Sequence, residues 1–285
     1  MILAAREVQR ANRSIGFVPT MGALHEGHLS LMREARAQCD TLVVSIFVNP
    51  AQFGPAEDFT KYPHDLDRDA ALLAGEHVDY LFAPSASDIY PPEFSTYVTV
   101  EGLSEQLEGA SRQGHFRGVA TVVAILLNIV RPDVAFFGQK DAQQAAVLKR
   151  MVRDLAFDTK VVVLPIVREE SGLALSSRNA YLTDEQKRAA TVLHRGLSRA
   201  SQAYRDGERS AERLVGIVSS TIASEPLARV DYISLNDAED FQPLAQVEER
   251  PALLSVAVYI GKTRLIDNIV VNNRALKMPL QPVIE

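Results

Sequence analysis

The sequence predicts an α/β fold, a Rossmann-like doubly wound parallel sheet with a smaller C-terminal α+β domain. Short runs of residues in the first half of the chain are apolar throughout rather than alternating, as in strands that are covered on both faces. Amphipathic helical patterns lie between these runs, as in β–α–β units. After about residue 175 the pattern changes to two helices followed by three strands.

Strands and helices of the first domain are predicted from these runs. The strands are expected over Ile15–Pro19, Thr41–Asn49, Val134–Gly138 and Lys160–Val167, with Asp79–Pro84 as a weaker fifth. The helices are expected over His28–Cys39, His64–Glu76, Val119–Val130 and Asp141–Leu155. The helix at Val119 is the most apolar run, and it is too short to span a bilayer, so we interpret it as buried.

The second domain is expected to begin with a long helix. Thr183 is its predicted N-cap, because Gln186 follows at the spacing of a capping box. A second helix is expected over Ser210–Ser224, then strands over Val230–Asn236, Ala252–Ile260 and Thr263–Val271, the last two joined by a turn at Gly261 and Lys262. We place the domains at residues 1–172, which would bind the ligands, and 173–285, which would act as a lid.

Composition and charge exclude some classes of protein. The formal net charge of −6 argues against a general nucleic-acid binder. Cys39 is the only cysteine, which rules out an internal disulfide and agrees with a reducing compartment. The first residues are charged and include no apolar core of a signal peptide. We therefore expect a cytoplasmic protein with no nucleic-acid or membrane partner.

The stretch "PTMGALHEGHLSL" places two histidines at the predicted start of a helix. His25 and His28 are three residues apart, whereas the two histidines of a zinc-protease helix are four apart, and no further ligand follows at metal-site spacing. We therefore predict no metal site formed by the protein. Free backbone N–H groups and both imidazoles would instead face a phosphate. A helix start with two incidental histidines is the alternative.

Three further stretches carry polar side chains at strand ends or between domains. Lys140 in "FFGQKD" follows a buried strand and would bind phosphate, unless it is only a solvated charge. Ser176, Ser177 and Arg178 in "LALSSRN" could close over a triphosphate, although this is also a common linker composition. Asn49 and Gln52 could hydrogen-bond a small polar substrate, and Phe53–Pro63 would form a lid.

Acidic residues form a group on the predicted third helix. Asp65, Asp67 and Asp69 could assist a magnesium ion, but a solvated helix face is the favoured interpretation.

Together these stretches resemble the pantothenate synthetase (pantoate–β-alanine ligase) family from Met1 to about Tyr181. "PTMGALHEGH", "SIFVNPAQFG", "HFRGVATVV", "FFGQKD" and "LALSSRN" are similar to its signature segments, in order and spacing. The first is a form of the HxGH motif of a wider nucleotidyltransferase superfamily. The resemblance implies a homodimeric cytoplasmic enzyme that uses ATP and Mg²⁺ to join (R)-pantoate to β-alanine, with release of AMP and diphosphate.

The resemblance also implies roles for individual residues. His28 would be a proton donor, Gln52 would contact both pantoate and β-alanine, and Gln144 would contact pantoate. The ATP site would comprise Met21, Gly22, Ala23, Leu24, His25, Glu26, Gly27, His28, Gly138, Gln139, Lys140, Asp141, Val167, Leu175, Ser176, Ser177 and Arg178. Two features depart from the family: Gln139 stands where glutamate is common, and the histidines lie nearer the start of the chain, which suggests a shortened or absent first strand.

Two other functions share part of this pattern. A nucleotidyltransferase that acts on a phosphorylated acceptor would keep the histidines but would not need the Asn49–Gln52 pocket. A nucleotide-sensing binding protein would keep the ATP site and show no turnover.

Overall fold

The computed structural model describes residues 1–54, 59 and 62–272. Its chain divides into two compact units. The first comprises Met1–Val167 with Leu175–Ser177, and the second comprises Arg168–Ala174 with the residues from Arg178 onward. The chain therefore passes between the units more than once in the segment around Val167 to Arg178.

The first unit is built on a parallel sheet, which has five strands within the described residues. They are β1 (Ile15–Thr20), β2 (Thr41–Ile46), β3 (Tyr80–Phe82), β4 (Val134–Gly138) and β5 (Lys160–Leu164). Their order is β3-β2-β1-β4-β5, and every pairing is parallel. The order reverses between β1 and β4, and ligands of open α/β sheets bind beyond the carboxyl ends of the strands at such a switch point.

The first unit also contains helices, several of which pack on the sheet. They are α1 (Ile2–Arg10), α2 (Glu26–Gln38), α3 (Leu66–Gly75), α4 (Ala86–Ile89), α5 (Glu108–Ser111), α6 (His115–Val130) and α7 (Ala142–Asp154). Short 3₁₀ turns occur at Pro50–Gln52, Gln139–Asp141 and Ser177–Tyr181. The apolar run that was predicted as a buried helix lies in α6 and is buried along most of its length. No helix within the described ranges is long and apolar enough to cross a bilayer.

The second unit packs two helices on one face of an antiparallel sheet. Its elements are α8 (Asp184–Arg205), α9 (Ala211–Ala223), β6 (Ala228–Asp237), β7 (Ala252–Ile260) and β8 (Thr263–Val271), with β7 in the centre. Thr183 and Gln186 form the predicted capping box at the start of α8. Arg168 makes a bidentate ion pair with the buried carboxylate of Asp267 on β8.

The predicted fold class is confirmed, and two details of the first unit differ from the prediction. The strand predicted at Ile15–Pro19 is β1, which has six residues and pairs with β2 along its whole length, and residues 1–14 contain α1 and no strand. β2 ends at Ile46 rather than Asn49, since Asn49 already caps the following 3₁₀ turn. The N-terminal helix α1 was not predicted, because the charged residues of this stretch obscure the apolar face formed by Ala5 and Val8.

Candidate active site

Three predicted stretches meet at one edge of the parallel sheet. Residues 21–28 follow β1, residues 49–52 follow β2, and residues 138–141 begin at the end of β4. Because β2, β1 and β4 are adjacent and parallel, their carboxyl ends lie side by side. The sequence therefore placed these three stretches correctly at a common edge.

His25 and His28 are ordered by hydrogen bonds at the start of α2. His25 is the N-cap residue, and its Nδ1 accepts a hydrogen bond from the N–H of Gly27 at 3.2 Å. Nδ1 of His28 accepts one from the N–H of His25 at 3.4 Å, and the two ring centroids are 4.1 Å apart. Since a neutral imidazole that accepts at Nδ1 carries its proton on Nε2, each ring keeps an N–H donor for a ligand.

Gly27 explains why a glycine separates the histidines. A Cβ atom at this position would lie 2.9 Å from Cε1 of His25, which is closer than real Cβ contacts. A larger residue would therefore displace the His25 ring from the helix start. The same virtual Cβ lies 3.9 Å from Cβ of Leu175, which brings the Leu175–Ser177 segment beside this turn.

Both histidines are held in the neutral state. Burial, followed by the positive charge of Lys140, lowers the pKa of His25 to about 4. Burial also lowers the pKa of His28 to about 3, with smaller contributions from His25 and Lys140. Lys140 is therefore close enough to act on both rings, and its ammonium lies 3.7 Å from the carboxylate of Asp141. The arrangement offers neutral N–H donors next to one cation.

Asp69 is not part of a solvated face, which corrects the prediction for the acidic group. Its side chain is 1% exposed, and its carboxylate accepts hydrogen bonds from the N–H groups of Ala23 at 2.8 Å and Leu24 at 2.9 Å. Asp65 instead caps α3 by accepting from the N–H of Arg68. Ala23 has a positive φ of 51°, a conformation in which a non-glycine residue is strained. Asp69 therefore holds this turn in place.

Most backbone N–H groups of the turn are already bonded within the protein, unlike the free groups that the sequence suggested. Those of Ala23 and Leu24 donate to Asp69, and that of Gly22 donates to the hydroxyl of Thr20. Those of His25, Gly27 and His28 bond within the helix start. Of residues 21–28, Met21 and Glu26 keep backbone N–H groups without a hydrogen bond to the described residues, so the expectation of free amides is narrowed to these two. The imidazole Nε2–H groups are further donors at this turn.

Asn49 was predicted to hydrogen-bond a substrate, but its side chain is bonded within the protein instead. Its side chain is 1% exposed, and its amide donates to Oε1 of Gln52 and to the carbonyl of Gly118 while its oxygen accepts from the N–H of Ala51 and the hydroxyl of Tyr90. All four hydrogen-bonding positions are thus used within the protein. Asn49 positions Gln52 and has no capacity left for a substrate.

Gln52 lies next to the histidine turn. Its Nε2 donates to the sulfur of Met21 at 3.0 Å, and its backbone carbonyl contacts Nδ1 of His115 at 2.9 Å. Close packing against α6 depends on Gly118, where a Cβ would lie 2.1 Å from the carbonyl oxygen of Ala51. The predicted substrate residue and the first residue of the predicted ATP stretch are therefore in contact.

The remaining predicted residues fall in both units. Val167 and Leu175 are joined by a backbone hydrogen bond, and Ser177 lies 3.2 Å from the hydroxyl of Tyr62. Ser176 belongs to this segment of the first unit, whereas Arg178 belongs to the second unit. Gln144 is partly buried in the first turn of α7, and Gln139 lies in the 3₁₀ turn with Lys140. Of the predicted lid, residues 55–58, 60 and 61 lie outside the described residues.

Sequence reasoning assigned Asp69 the wrong role and missed Tyr90 and Tyr62. A signal for Asp69 was present: it precedes the buried Leu73 by four residues, so both lie on the inner face of α3. Tyr90 and Tyr62 follow irregular segments, and no periodicity marks them. Their hydroxyls contact Asn49 and Ser177 respectively, over long separations in sequence.

The two lowered histidine pKa values predict a pH dependence. Between pH 6.5 and about 4 the unfolded chain binds protons that folded His25 and His28 do not, so the free energy of unfolding should fall as the pH falls through this range. Nitrogen-detected NMR of the imidazoles should show both rings neutral and protonated at Nε2 at pH 5.5. Midpoints near 6.5 in the folded protein, equal to those of a denatured sample, would contradict this.

A second prediction concerns Asp69. Replacing it with asparagine removes the charge and one of two equivalent acceptors, so the N–H groups of Ala23 and Leu24 should exchange with solvent about tenfold faster or more. Hydrogen-exchange NMR measures this directly. Asp67→Asn is the matched control, because Asp67 is exposed on the same helix. Equal exchange rates in both variants would show that Asp69 does not hold the turn.

Comparison with known proteins places this geometry in a family. The sequence profile described as Pantoate-beta-alanine ligase matches residues 2–270. A relative named pantothenate synthetase, from Pelotomaculum thermopropionicum, is 58% identical over 263 residues, which are 92% of this chain and 93% of that protein. The protein of the same name from Heliobacterium modesticaldum is 58% identical over 267 residues, 94% of this chain and 95% of that protein.

Solved structures agree with this assignment. The crystal structure of pantothenate synthetase from Thermus thermophilus has a TM-score of 0.87 and 46% identity, covering 93% of this chain and 96% of that one. The pantoate-beta-alanine ligase from Francisella tularensis, complexed with beta-gamma ATP and beta-alanine, has a TM-score of 0.77 and 37% identity, with 94% and 95% covered. With a profile match over nearly its whole length and relatives of this similarity, the chain belongs to the pantoate–β-alanine ligase family.

Proposed function

We propose that this chain is an enzyme that joins (R)-pantoate to β-alanine, using ATP and releasing AMP and diphosphate. One observation carries the proposal. Gln52, which follows β2, contacts Met21, which follows β1 and precedes the two histidines. Lys140, which follows β4, is close enough to lower the pKa of both histidines. The residue that would bind the small acid thus adjoins the residues that would bind phosphate. A nucleotidyltransferase acting on a phosphorylated acceptor would have no need of Gln52 at this place.

ATP would be held mainly by side chains. The Nε2–H groups of His25 and His28 and the ammonium of Lys140 would bind phosphate oxygens, and Ser176, Ser177 and Arg178 would complete the set. Because burial keeps the pKa of His28 at about 3, His28 would act as a hydrogen-bond donor rather than as an imidazolium before ATP binds. The rest of the ATP site would be lined by residues 21–28, residues 138–141, Val167 and Leu175.

Mg²⁺ would enter with the nucleotide. No group of three or more metal-ligating side chains occurs in the described part of the chain. The side chains at this edge are mostly N–H and O–H donors, which fit phosphate oxygens rather than a metal ion. Bound Mg²⁺ would supply further neutralisation of phosphate charge.

The reaction would proceed through an adenylate. A carboxylate oxygen of pantoate attacks the α-phosphorus of ATP, the bond to the bridging oxygen breaks, and diphosphate leaves. The amine of β-alanine then attacks the acyl carbon, AMP leaves, and the amine loses a proton. Gln52 and Gln144 would orient pantoate, and the Phe53–Pro63 segment would exclude water from the intermediate.

The family resemblance supports several further proposals. The enzyme would be a cytoplasmic homodimer that interacts with neither nucleic acid nor membranes. Residues 1–172 would bind ATP and pantoate, and residues 173–285 would form the smaller lid domain.

Isotope exchange tests the proposed reaction. With ATP, Mg²⁺ and pantoate but no amine, the enzyme should exchange labelled diphosphate into ATP, because the first half-reaction needs no β-alanine. Adding β-alanine should then yield pantothenate and AMP. ADP as product would indicate an acyl phosphate, exchange without pantoate would indicate a different acceptor, and ATP binding without turnover would indicate a sensor.

Lys140 should contribute strongly to this exchange. Lys140→Ala removes a preorganised positive charge beside both histidines, so the pantoate-dependent exchange rate should fall about 100-fold. Lys149→Ala, which changes an exposed lysine on α7, is the matched control and should leave the rate unchanged. If both variants have similar exchange rates and similar thermal stability, Lys140 is only a solvated charge and does not bind phosphate.

A further inference from the structure

The hydrogen bonds around Asn49 fix the direction in which Gln52 faces. The N–H of Ala51 is a donor and the carbonyl of Gly118 is an acceptor, so the two ends of the Asn49 amide are determined by backbone groups of fixed polarity. Its oxygen must face Ala51 and its nitrogen must face Gly118. The nitrogen then also donates to Oε1 of Gln52 at 3.0 Å.

The orientation of the Asn49 amide also determines the orientation of the Gln52 side-chain amide. Because Oε1 of Gln52 accepts from Asn49, its Nε2 points away from Asn49 and toward Met21. Gln52 therefore presents N–H donors at the histidine turn and not its carbonyl oxygen. An amide held in this direction recognises an atom that accepts hydrogen bonds.

Tyr90 supplies the remaining partner of Asn49. Its hydroxyl donates to Oδ1 of Asn49 at 2.7 Å, the shortest of the four bonds that hold this amide. Burial raises the pKa of Tyr90 to about 12, so the hydroxyl keeps its proton across the physiological range. Its ring packs edge-on against Phe94, with the centroids 5.0 Å apart, and lies 6.3 Å from Phe47, which orients the hydroxyl.

We propose that Tyr90 is a positioning residue, which acts through Asn49 to hold the N–H donors of Gln52 toward the bound acid. The proposal rests on the proposed function, in which Gln52 binds pantoate. Tyr90 itself touches neither substrate. The acid is bound at Gln52 by an oxygen that accepts hydrogen bonds, such as one of its carboxylate oxygens.

Tyr90→Phe is the first test, measured by pantoate-dependent diphosphate exchange. Loss of the hydroxyl leaves the buried amide oxygen of Asn49 with one hydrogen-bond donor fewer, so the KM for pantoate should rise about tenfold. The KM for ATP should change less than about twofold, and the thermal unfolding midpoint should change by no more than a few degrees. Tyr80→Phe is the matched control, since Tyr80 is an exposed tyrosine of β3 and has no hydrogen bond to Asn49 within the described residues. It should behave as the unmodified protein.

A double-mutant cycle separates positioning from general packing. If Tyr90 acts through Gln52, Tyr90→Phe should have no further effect on the KM for pantoate in a Gln52→Ala background. An undiminished effect in that background would overturn the proposal, as would an equal rise in the KM for ATP.

A further variant tests whether Gln52 binds the acid through its N–H donors. Gln52→Glu keeps the size of the side chain but replaces its N–H donors with an acceptor, so exchange should be impaired at least as much as in Gln52→Ala. A normal KM for pantoate in Gln52→Glu would mean that the acid is bound through a hydroxyl donor, and the proposal would be wrong. Absence of exchange in the unmodified protein would instead refute the proposed function.

Discussion

The buried carboxylate of Asp69 is the constraint on which the candidate site depends. It bonds the N–H groups of two consecutive residues in the turn after β1, one of which has a positive φ. A carboxylate with negligible exposure needs such partners, because burying it unpaired costs several kcal/mol or more. The turn and the carboxylate therefore stabilise each other. Their pairing also consumes the amides that would otherwise bind phosphate.

As a consequence, side chains would provide much of the ligand recognition. With most amides at the start of α2 engaged, His25 and His28 use Nδ1 to accept from backbone N–H groups, and their Nε2–H groups would be left for the ligand. Burial keeps both rings neutral, so the free site carries less positive charge than two imidazolium ions would give it. That state avoids repulsion between two rings whose centroids are 4.1 Å apart.

The sequence predicted the fold well because its signals were local. Uniformly apolar runs indicated the parallel strands, and the Thr183–Gln186 spacing indicated the start of α8. Strand ends also placed His25, Gln52 and Lys140 at one edge, since parallel order brings those ends together. What could not be predicted was the direction of hydrogen bonds. Whether Asp69 faces solvent, or Asn49 faces a substrate, depends on partners far away in the chain, such as Ala23 and Tyr90.

The distribution of charge in the site suits a weak nucleophile. A carboxylate that is paired with a cation gives up part of its electron density, so it attacks phosphorus less readily than one held by neutral donors. In the proposed reaction Gln52 would offer the acid N–H groups without charge, whereas the cation Lys140 lies after β4, on the far side of β1 from Gln52. The order β2-β1-β4 would thereby separate acid binding from phosphate neutralisation. An amide at position 52 would then be a chemical requirement, because a lysine there would bind the acid more tightly and lower its reactivity.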